Sequence, residues 1–413
     1  MNSLNSSNII FKYKNCFVEQ TLKIIIFDVR KIIAKMIDSI DIRKYRNLDE
    51  LRINSLARVN LIVGKNNAGK STLLEAIALF ATKCNLGIIF QILEERGEFF
   101  SRIPNNKNAT EANVKSLSSL FTNRNVGFEK TDAITIGTIE NNLFGNRNPV
   151  GYSVELRFVK YYDEIISEND NTEKTSKRTA IENINNKIFA DYKLGLEIRI
   201  ENISFILSLD DERVFNRLGF ISLGGIENFQ FISTRSIDRE INGKLWDSII
   251  LTEKEQFVIE ALRIIEPLVE RIAFIEEGRG NRSVVVKLSN NNNVFPLRSM
   301  GDGINRIFTI ILALVNSENG YLLIDEFENG LHHSVQEKLW EIIFNLANKL
   351  NIQIFATTHS EDCISGFQNI LNNAKNNIDG KLIRLDNING KIKEVEFNKE
   401  ELKIAIDQNI EIR

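Results

Sequence analysis

The clearest chemistry in this chain lies in Gly64-Lys65-Asn66-Asn67-Ala68-Gly69-Lys70-Ser71-Thr72. It is the pattern G-x-x-x-x-G-K-[ST], and each position has a physical reason. Glycines let the backbone curl so that its N–H groups face a phosphate. Lys70 would reach the terminal phosphates of a nucleoside triphosphate, and the Ser71 hydroxyl would ligate Mg²⁺. A second group of reactive residues lies far downstream. Asp325 and Glu326 end the apolar run Tyr321–Ile324. Asp325 would hold the metal, and Glu326 would act as general base for an attacking water. His359 follows another apolar run, Asn351–Ala356, and the other histidines are His332 and His333. A donor at a strand tip beside such a site can meet the γ-phosphate or the water. Together these residues read as the equipment for binding and hydrolysing a nucleoside triphosphate.

The elements that must position them are also legible. The apolar run Val59–Val63 reads as the strand before the loop, and Leu73–Ala81 as the helix that aims its positive end at the phosphate. Tyr321–Ile324 and Asn351–Ala356 read as strands. The amphipathic helix between them opens on a capping box, Ser334 with Glu337. Strand–helix–strand of this kind is a parallel βαβ unit. Ser299-Met300-Gly301-Asp302-Gly303 precedes an apolar helix, Ile304–Val315, and is a second candidate anion turn. Ahead of the loop, alternation over Met36–Ile42 reads as a half-buried strand.

The middle of the chain carries less. Ala133–Ile139, Tyr152–Phe158, Leu194–Ile200 and Ile203–Leu209 alternate like strands of an antiparallel portion. Asn105–Asn108 and Ser167–Thr179 read as loops. Thr252 and Glu255 form a capping box that opens a helical segment over residues 252–275, which Pro267 should kink or split. Hairpins are expected at Ser283–Leu288 with Val294–Leu297, and around Asn389-Gly390. Asn398 caps a final helix. Residues 1–35 hold no motif and are expected to be an appendage, the fold beginning at Met36.

Composition sets outer bounds. With 413 residues, 43% hydrophobic and 26% charged, the chain has the make-up of a soluble globular protein. A net charge of −3 gives no global sign of nucleic-acid binding. The three cysteines have no metal-ligand spacing and suit a reducing cytosol, and no run is long enough for a membrane span.

In their order along the chain, these motifs resemble the ABC-type ATPase heads of the SMC/RecF/OLD group, with OLD-like single-chain AAA family ATPases the nearest likeness. The residues that carry it are Arg43-Lys44-Tyr45-Arg46, the loop Gly64–Thr72, Ser299–Gly303, Leu323–His332 and Ala356–Ser360. The resemblance implies an α/β fold: a head with a P-loop parallel-sheet core, an antiparallel β portion and an inserted helical segment. It implies one head over residues 36–413, with a variable β-rich and loop insertion at 100–235 and a signature, Walker B and switch lobe at 282–413. It implies ATP and Mg²⁺ as ligands and a cytoplasmic homodimer or higher oligomer. Ser299, Gly301, Asp302 and Gly303 of one copy would act in trans on nucleotide held by the other. Asn329, Gly330, Leu331 and His332 would lie at the seam as the D-loop. Two features depart from the pattern: Asp302-Gly303 follows Ser-Met-Gly, and no Q-loop glutamine stands out. Gln91 comes too soon after the loop, and Ser119–Asn123 matches by position alone.

Relatives of this type often work with a separate effector, a nuclease or toxin in antiphage defence. Two other roles stay open on the residues. One is a RecF-like DNA-binding repair ATPase using Arg43, Lys44, Arg46, Arg52 and Arg58. The other is an ATP-binding scaffold with negligible turnover.

Overall fold

The computed structural model describes residues 36–99, 107–139, 152–166, 175–182, 192–209, 228–234, 239–276, 282–291, 293–372, 379–408 and 412. The appendage expected over residues 1–35 lies outside them. From Ile37 onward the chain forms one unit.

Three sheets organise it. The first is antiparallel and begins with the hairpin β1 (Ile40–Tyr45) and β2 (Leu48–Ile53). β3 (Val59–Val63), α1 (Lys70–Ala81), α2 (Leu86–Glu95) and α3 (Lys107–Ser118) follow. The first sheet is completed by β4 (Ile134–Gly137), β5 (Ser153–Ile166), β6 (Thr175–Ala180), β7 (Lys193–Ile200) and β8 (Ile203–Ser208). Its order is β2-β1-β4-β5-β7-β8, with β6 also paired to β5. Thus the end of the loop expected over Ser167–Thr179 is strand instead: the long β5 overruns β4 and leaves backbone donors that β6 pairs.

Next come β9 (Phe229–Ile232), α4 (Arg239–Asp247), α5 (Glu253–Ile265), β10 (Val269–Glu276), β11 (Arg282–Leu288) and β12 (Val294–Pro296). The last three make the second sheet, also antiparallel. The helical segment expected over 252–275 is therefore helix only to Ile265. Pro267 lacks the N–H that a continuing helix needs, and the chain leaves the turn as β10.

The third sheet holds the chemistry. It adds α6 (Asp302–Val315), β13 (Tyr321–Ile324), α7 (His333–Lys349), β14 (Gln353–Thr357), α8 (Glu361–Asn372), β15 (Gly380–Ile388), β16 (Lys391–Phe397) and α9 (Lys399–Asp407). Its order is β16-β15-β3-β14-β13-β9, parallel throughout except at β16. Every residue of β3, β13 and β14 is buried, which is why these strands read as unbroken apolar runs rather than alternations. Val59, Leu61 and Val63 join Leu322, Ile324, Ile354 and Ala356 in one core with α6, α7 and α8. On the other face α1 packs against β13, β14 and β4, between the parallel and the first antiparallel sheet.

Register aligns the strand tips. Ile62 stands opposite Thr357, and Ile324 opposite Ala356. The loop after β3, the acids after β13 and the switch after β14 therefore leave the sheet at one level. That is the carboxyl end of parallel strands, where open α/β sheets bind ligands.

Candidate functional site

The phosphate loop runs from Gly64 at φ +144° to Gly69 at φ +91°, and α1 starts at Lys70. Gly64 is required by space as well as by φ, because a Cβ there would sit 2.4 Å from the Leu385 carbonyl oxygen of β15. The loop rests on β15 as on a wall. The Lys70 ammonium folds back over the mouth, donating to the carbonyls of Gly64 at 2.7 Å and Lys65 at 3.2 Å. α1 carries no acidic side chain in its first turn, so nothing there opposes an anion at its positive end.

Across the sheet, Asp325 is 8% exposed and gathers two hydroxyls on one oxygen. Its Oδ1 accepts from Ser71 Oγ at 3.1 Å and from Thr357 Oγ1 at 2.6 Å. The same Thr357 hydroxyl accepts the backbone N–H of Glu326 at 2.9 Å. Glu326 needs that anchor, because it sits at φ +49° in the left-handed region that side chains other than glycine adopt at a cost.

The candidate switch is held by a residue that the motif reading left unassigned. Glu328 accepts from Thr358 Oγ1 at 2.8 Å and from the His359 backbone N–H at 2.9 Å. The same carboxylate lies 3.0 Å from His359 Nδ1. Below it, the candidate D-loop turn closes through Asn329 N–H to the Glu326 carbonyl and Leu331 N–H to the Glu328 carbonyl. Gly330 and the candidate signature meet here. A Cβ on Gly303 would lie 2.9 Å from the Gly330 carbonyl oxygen, so this approach needs glycine at 303, while Gly330 is favoured by its φ of +73°.

Ser299 ends in a 3₁₀ turn, Leu297–Met300, with its hydroxyl donated to the Pro296 carbonyl. Asp302 is already the first residue of α6, so the helix begins two residues before Ile304. α7 also starts early. His332, not Ser334, is its N-cap, because His332 Nδ1 accepts the Ser334 N–H at 3.3 Å. The ring nitrogen replaces the hydroxyl oxygen that a capping box would use.

A family model described as "AAA domain, putative AbiEii toxin, Type IV TA system" matches residues 59–362, from the phosphate-loop strand to the switch. The chain belongs to this AAA domain family. As an AAA-domain ATPase it is 23% identical over 350 residues to the "ATP/GTP phosphatase" of Helicobacter pylori (strain ATCC 700392 / 26695), covering 80% of this chain and 86% of that protein. It is also 37% identical over 98 residues to an uncharacterized protein of Methanocaldococcus jannaschii, covering 21% of this chain and 45% of the relative. Among solved structures it is similar to the SMC head bound to the C-winged helix domain of ScpA. There the TM-score is 0.49 and the identity 12%, over 90% of this chain and all of that one. The SMC head of Thermotoga maritima aligns over 88% of the chain and all of that head, with a TM-score of 0.38 and 9% identity.

The AAA-domain core contains further residues that motif reading passed over. Arg306, one turn into α6, is 2% exposed. It donates to the carbonyls of Asp325 at 3.0 Å, Glu326 at 3.4 Å and Ser233 at 3.4 Å. Burial holds its guanidinium below the usual arginine value, against the pull of Asp325, Glu326 and Glu328. A charged residue inside an otherwise apolar helix was the available signal. Gln91, set aside as too early for a Q-loop, donates to Glu95 at 3.1 Å. Burial raises the Glu95 carboxyl, with bonds from Gln91 and Ser233 opposing and the charges of Glu75 and Asp325 adding to the rise. Ser119 and Leu120 offer their carbonyls to Arg46.

The basic run near the start is half-buried and paired within the chain. Arg43 and Arg52 share Asp41, which is 2% exposed, at 2.9 and 3.2 Å. Arg46 and Arg96 clamp Glu75 of α1, each at 2.8 Å. Arg58 donates to Asn351 Oδ1 and Lys44 to the Thr131 carbonyl.

Magnesium fits the donor set. Asp325 and Ser71 offer hard oxygens, and no cluster of three or more His, Cys, Asp or Glu ligands occurs among the described residues. A lone carboxylate and a hydroxyl are what Mg²⁺ uses when phosphates and water complete its shell, whereas Zn²⁺ would need a fuller protein cage. Among the described residues no helix is long and apolar enough to cross a membrane.

Proposed function

We propose that two copies of this chain close head to head in the cytosol around two ATP molecules and reopen after hydrolysis. The convergence of Ser71 and Thr357 on Asp325 Oδ1 carries this reading, because it joins the phosphate loop to the acid pair. In this scheme the backbone of Gly64–Thr72 and Lys70 bind the phosphates, and Ser71 and Asp325 hold Mg²⁺. The metal, when bound, offsets charge on the β- and γ-phosphates. Glu326 takes the proton of the attacking water, and His359 contacts the γ-phosphate. Ser299, Gly301, Asp302 and Gly303 complete the site of the opposite copy, with Asn329, Gly330, Leu331 and His332 at the seam. The approach of Gly303 to Gly330 within one chain supports this, since it unites the trans-acting turn with the D-loop.

A separate effector of nuclease or toxin type, acting in antiphage defence, reads the closed state in this proposal. The RecF-like alternative has less support, because Arg43, Lys44, Arg46, Arg52 and Arg58 all have partners inside the chain.

The test pairs two variants. Glu326→Gln should cut ATP turnover by roughly a hundredfold or more while ATP stays bound, and should accumulate as a dimer with ATP in light scattering. Lys70→Ala should lose ATP affinity and remain monomeric. Unchanged turnover in the first, or unchanged affinity in the second, rules the assignment out. Wild-type turnover no faster than Glu326→Gln would leave the scaffold reading.

A further inference from the structure

The geometry points to Glu328 as the positioning residue for His359, and as the joint between the switch and the D-loop turn. This rests on the ATPase reading above. Three donors converge on one carboxylate that is 12% exposed: Thr358 Oγ1, the His359 backbone N–H and His359 Nδ1. An ionised carboxylate only accepts hydrogen bonds, so the ring proton of His359 must sit on Nδ1. Because Oε1 takes both the backbone N–H and the ring N–H of one residue, it fixes the ring's plane as well as its tautomer. The imidazole itself is 49% exposed, too open for packing to hold it alone.

The other end of Glu328 faces the turn. Its carbonyl accepts the Leu331 N–H, closing the segment Asn329–His332 whose Gly330 touches Gly303 of α6. The Glu328 side chain thus holds the group that meets the γ-phosphate, and its backbone holds the group expected at the dimer seam. The acidic residues Glu361 and Asp362 open α8 just beyond His359, and Ser360 Oγ accepts the Cys363 N–H there.

The experiment compares Glu328→Ala, Glu328→Gln, His359→Ala and the double variant Glu328→Ala/His359→Ala. Glu328→Ala should lower kcat by roughly ten- to a hundredfold, the scale of a misplaced catalytic group, with the KM for ATP within about threefold. The double variant should be no slower than His359→Ala alone, because both remove the same contact. Glu328→Gln should keep kcat within about threefold of wild type. Its carbonyl can still accept from His359, while the Thr358 hydroxyl can turn to accept from the new amide. A Glu328→Ala loss that multiplies with that of His359→Ala overturns the proposal, as does a Glu328→Gln loss equal to that of Glu328→Ala.

A readout independent of turnover separates this from failure of the ATPase reading. In ¹⁵N-histidine NMR spectra, with the resonance assigned through His359→Gln, wild type and Glu328→Gln should show His359 protonated on Nδ1. Glu328→Ala should show the tautomers mixed. An unchanged tautomer in Glu328→Ala refutes the positioning role, whatever the turnover of the wild type.

Discussion

Replacing Thr357 with valine tests how the acid pair is held. The side chains match in shape, so the change deletes one hydroxyl from a fully buried site and leaves almost no cavity. Two bonds go with it. The donation to Asp325 Oδ1 at 2.6 Å is charge-assisted, and such bonds contribute about 1.5–3 kcal/mol. The Glu326 N–H loses its acceptor, which costs about 1–3 kcal/mol when water cannot substitute. Ser71 remains on Asp325 and recovers part of the first loss, so the net destabilisation should be about 2–4 kcal/mol. The local consequence is larger than the global one. Glu326 sits at φ +49°, a conformation that costs about 1–3 kcal/mol by itself. Without the hydroxyl only the bonds to its carbonyl, from Asn329 N–H and Arg306, are left to offset that strain, so the residue should relax and shift its carboxylate. Urea unfolding should show a lower midpoint at unchanged slope. ATP turnover should fall ten- to a hundredfold, by roughly the factor expected for a displaced catalytic group, with KM little changed. Thr357→Ser keeps the hydroxyl and should cost only about 1 kcal/mol for the lost methyl, with kcat retained. If the valine variant lost less than about 0.5 kcal/mol and kept its turnover, the reasoning about the anchor would be refuted.

Two further outcomes follow from buried charge. Arg306→Met should destabilise the chain by about 2–4 kcal/mol, because the carbonyls of Ser233, Asp325 and Glu326 lose a charged donor, and urea unfolding within about 0.5 kcal/mol of wild type would contradict it. Glu95→Gln should make the chain more stable at pH 7. The folded state raises this carboxyl above its ordinary value and so holds its proton to higher pH than the unfolded chain does; stability therefore falls as pH rises between the two values. The variant's advantage should vanish below about pH 4, where both states are protonated, and equal melting temperatures at pH 7 would remove the argument.

What could be read in advance, and what could not, divides by distance along the chain. The phosphate loop is local, a strand, a glycine turn and a helix in direct succession, so nearly all its determinants lie between Val59 and Ala81. The acids after Tyr321–Ile324 were legible only beside the phosphate loop, because a buried strand ending in carboxylates is common by itself. Arg306, Glu328 and Thr357 were not, because each acquires its part from a partner delivered by another strand or helix. Arg43–Arg58 meet the same limit, since the run alone does not show its partners. A basic run looks like a surface until Asp41 and Glu75 are seen beneath it. The helix over 252–275 shows the converse, a local signal underweighted. Pro267 was visible, and it ends the helix rather than bending it, because β11 offers a strand partner to the residues that follow.

The wall behind the phosphate loop has a consequence for how the protein is made. Gly64 lies against Leu385, and the carbonyl of Asn67 accepts from Asn387, 320 residues downstream. Both parallel neighbours of β3 are translated after residue 350. At about 5–20 residues per second, the loop leaves the ribosome roughly 15–60 seconds before its supports exist. A nascent chain thus carries the whole nucleotide-binding motif without a place to fold it. Competence for ATP therefore waits until β15 has been made and can pair with β3.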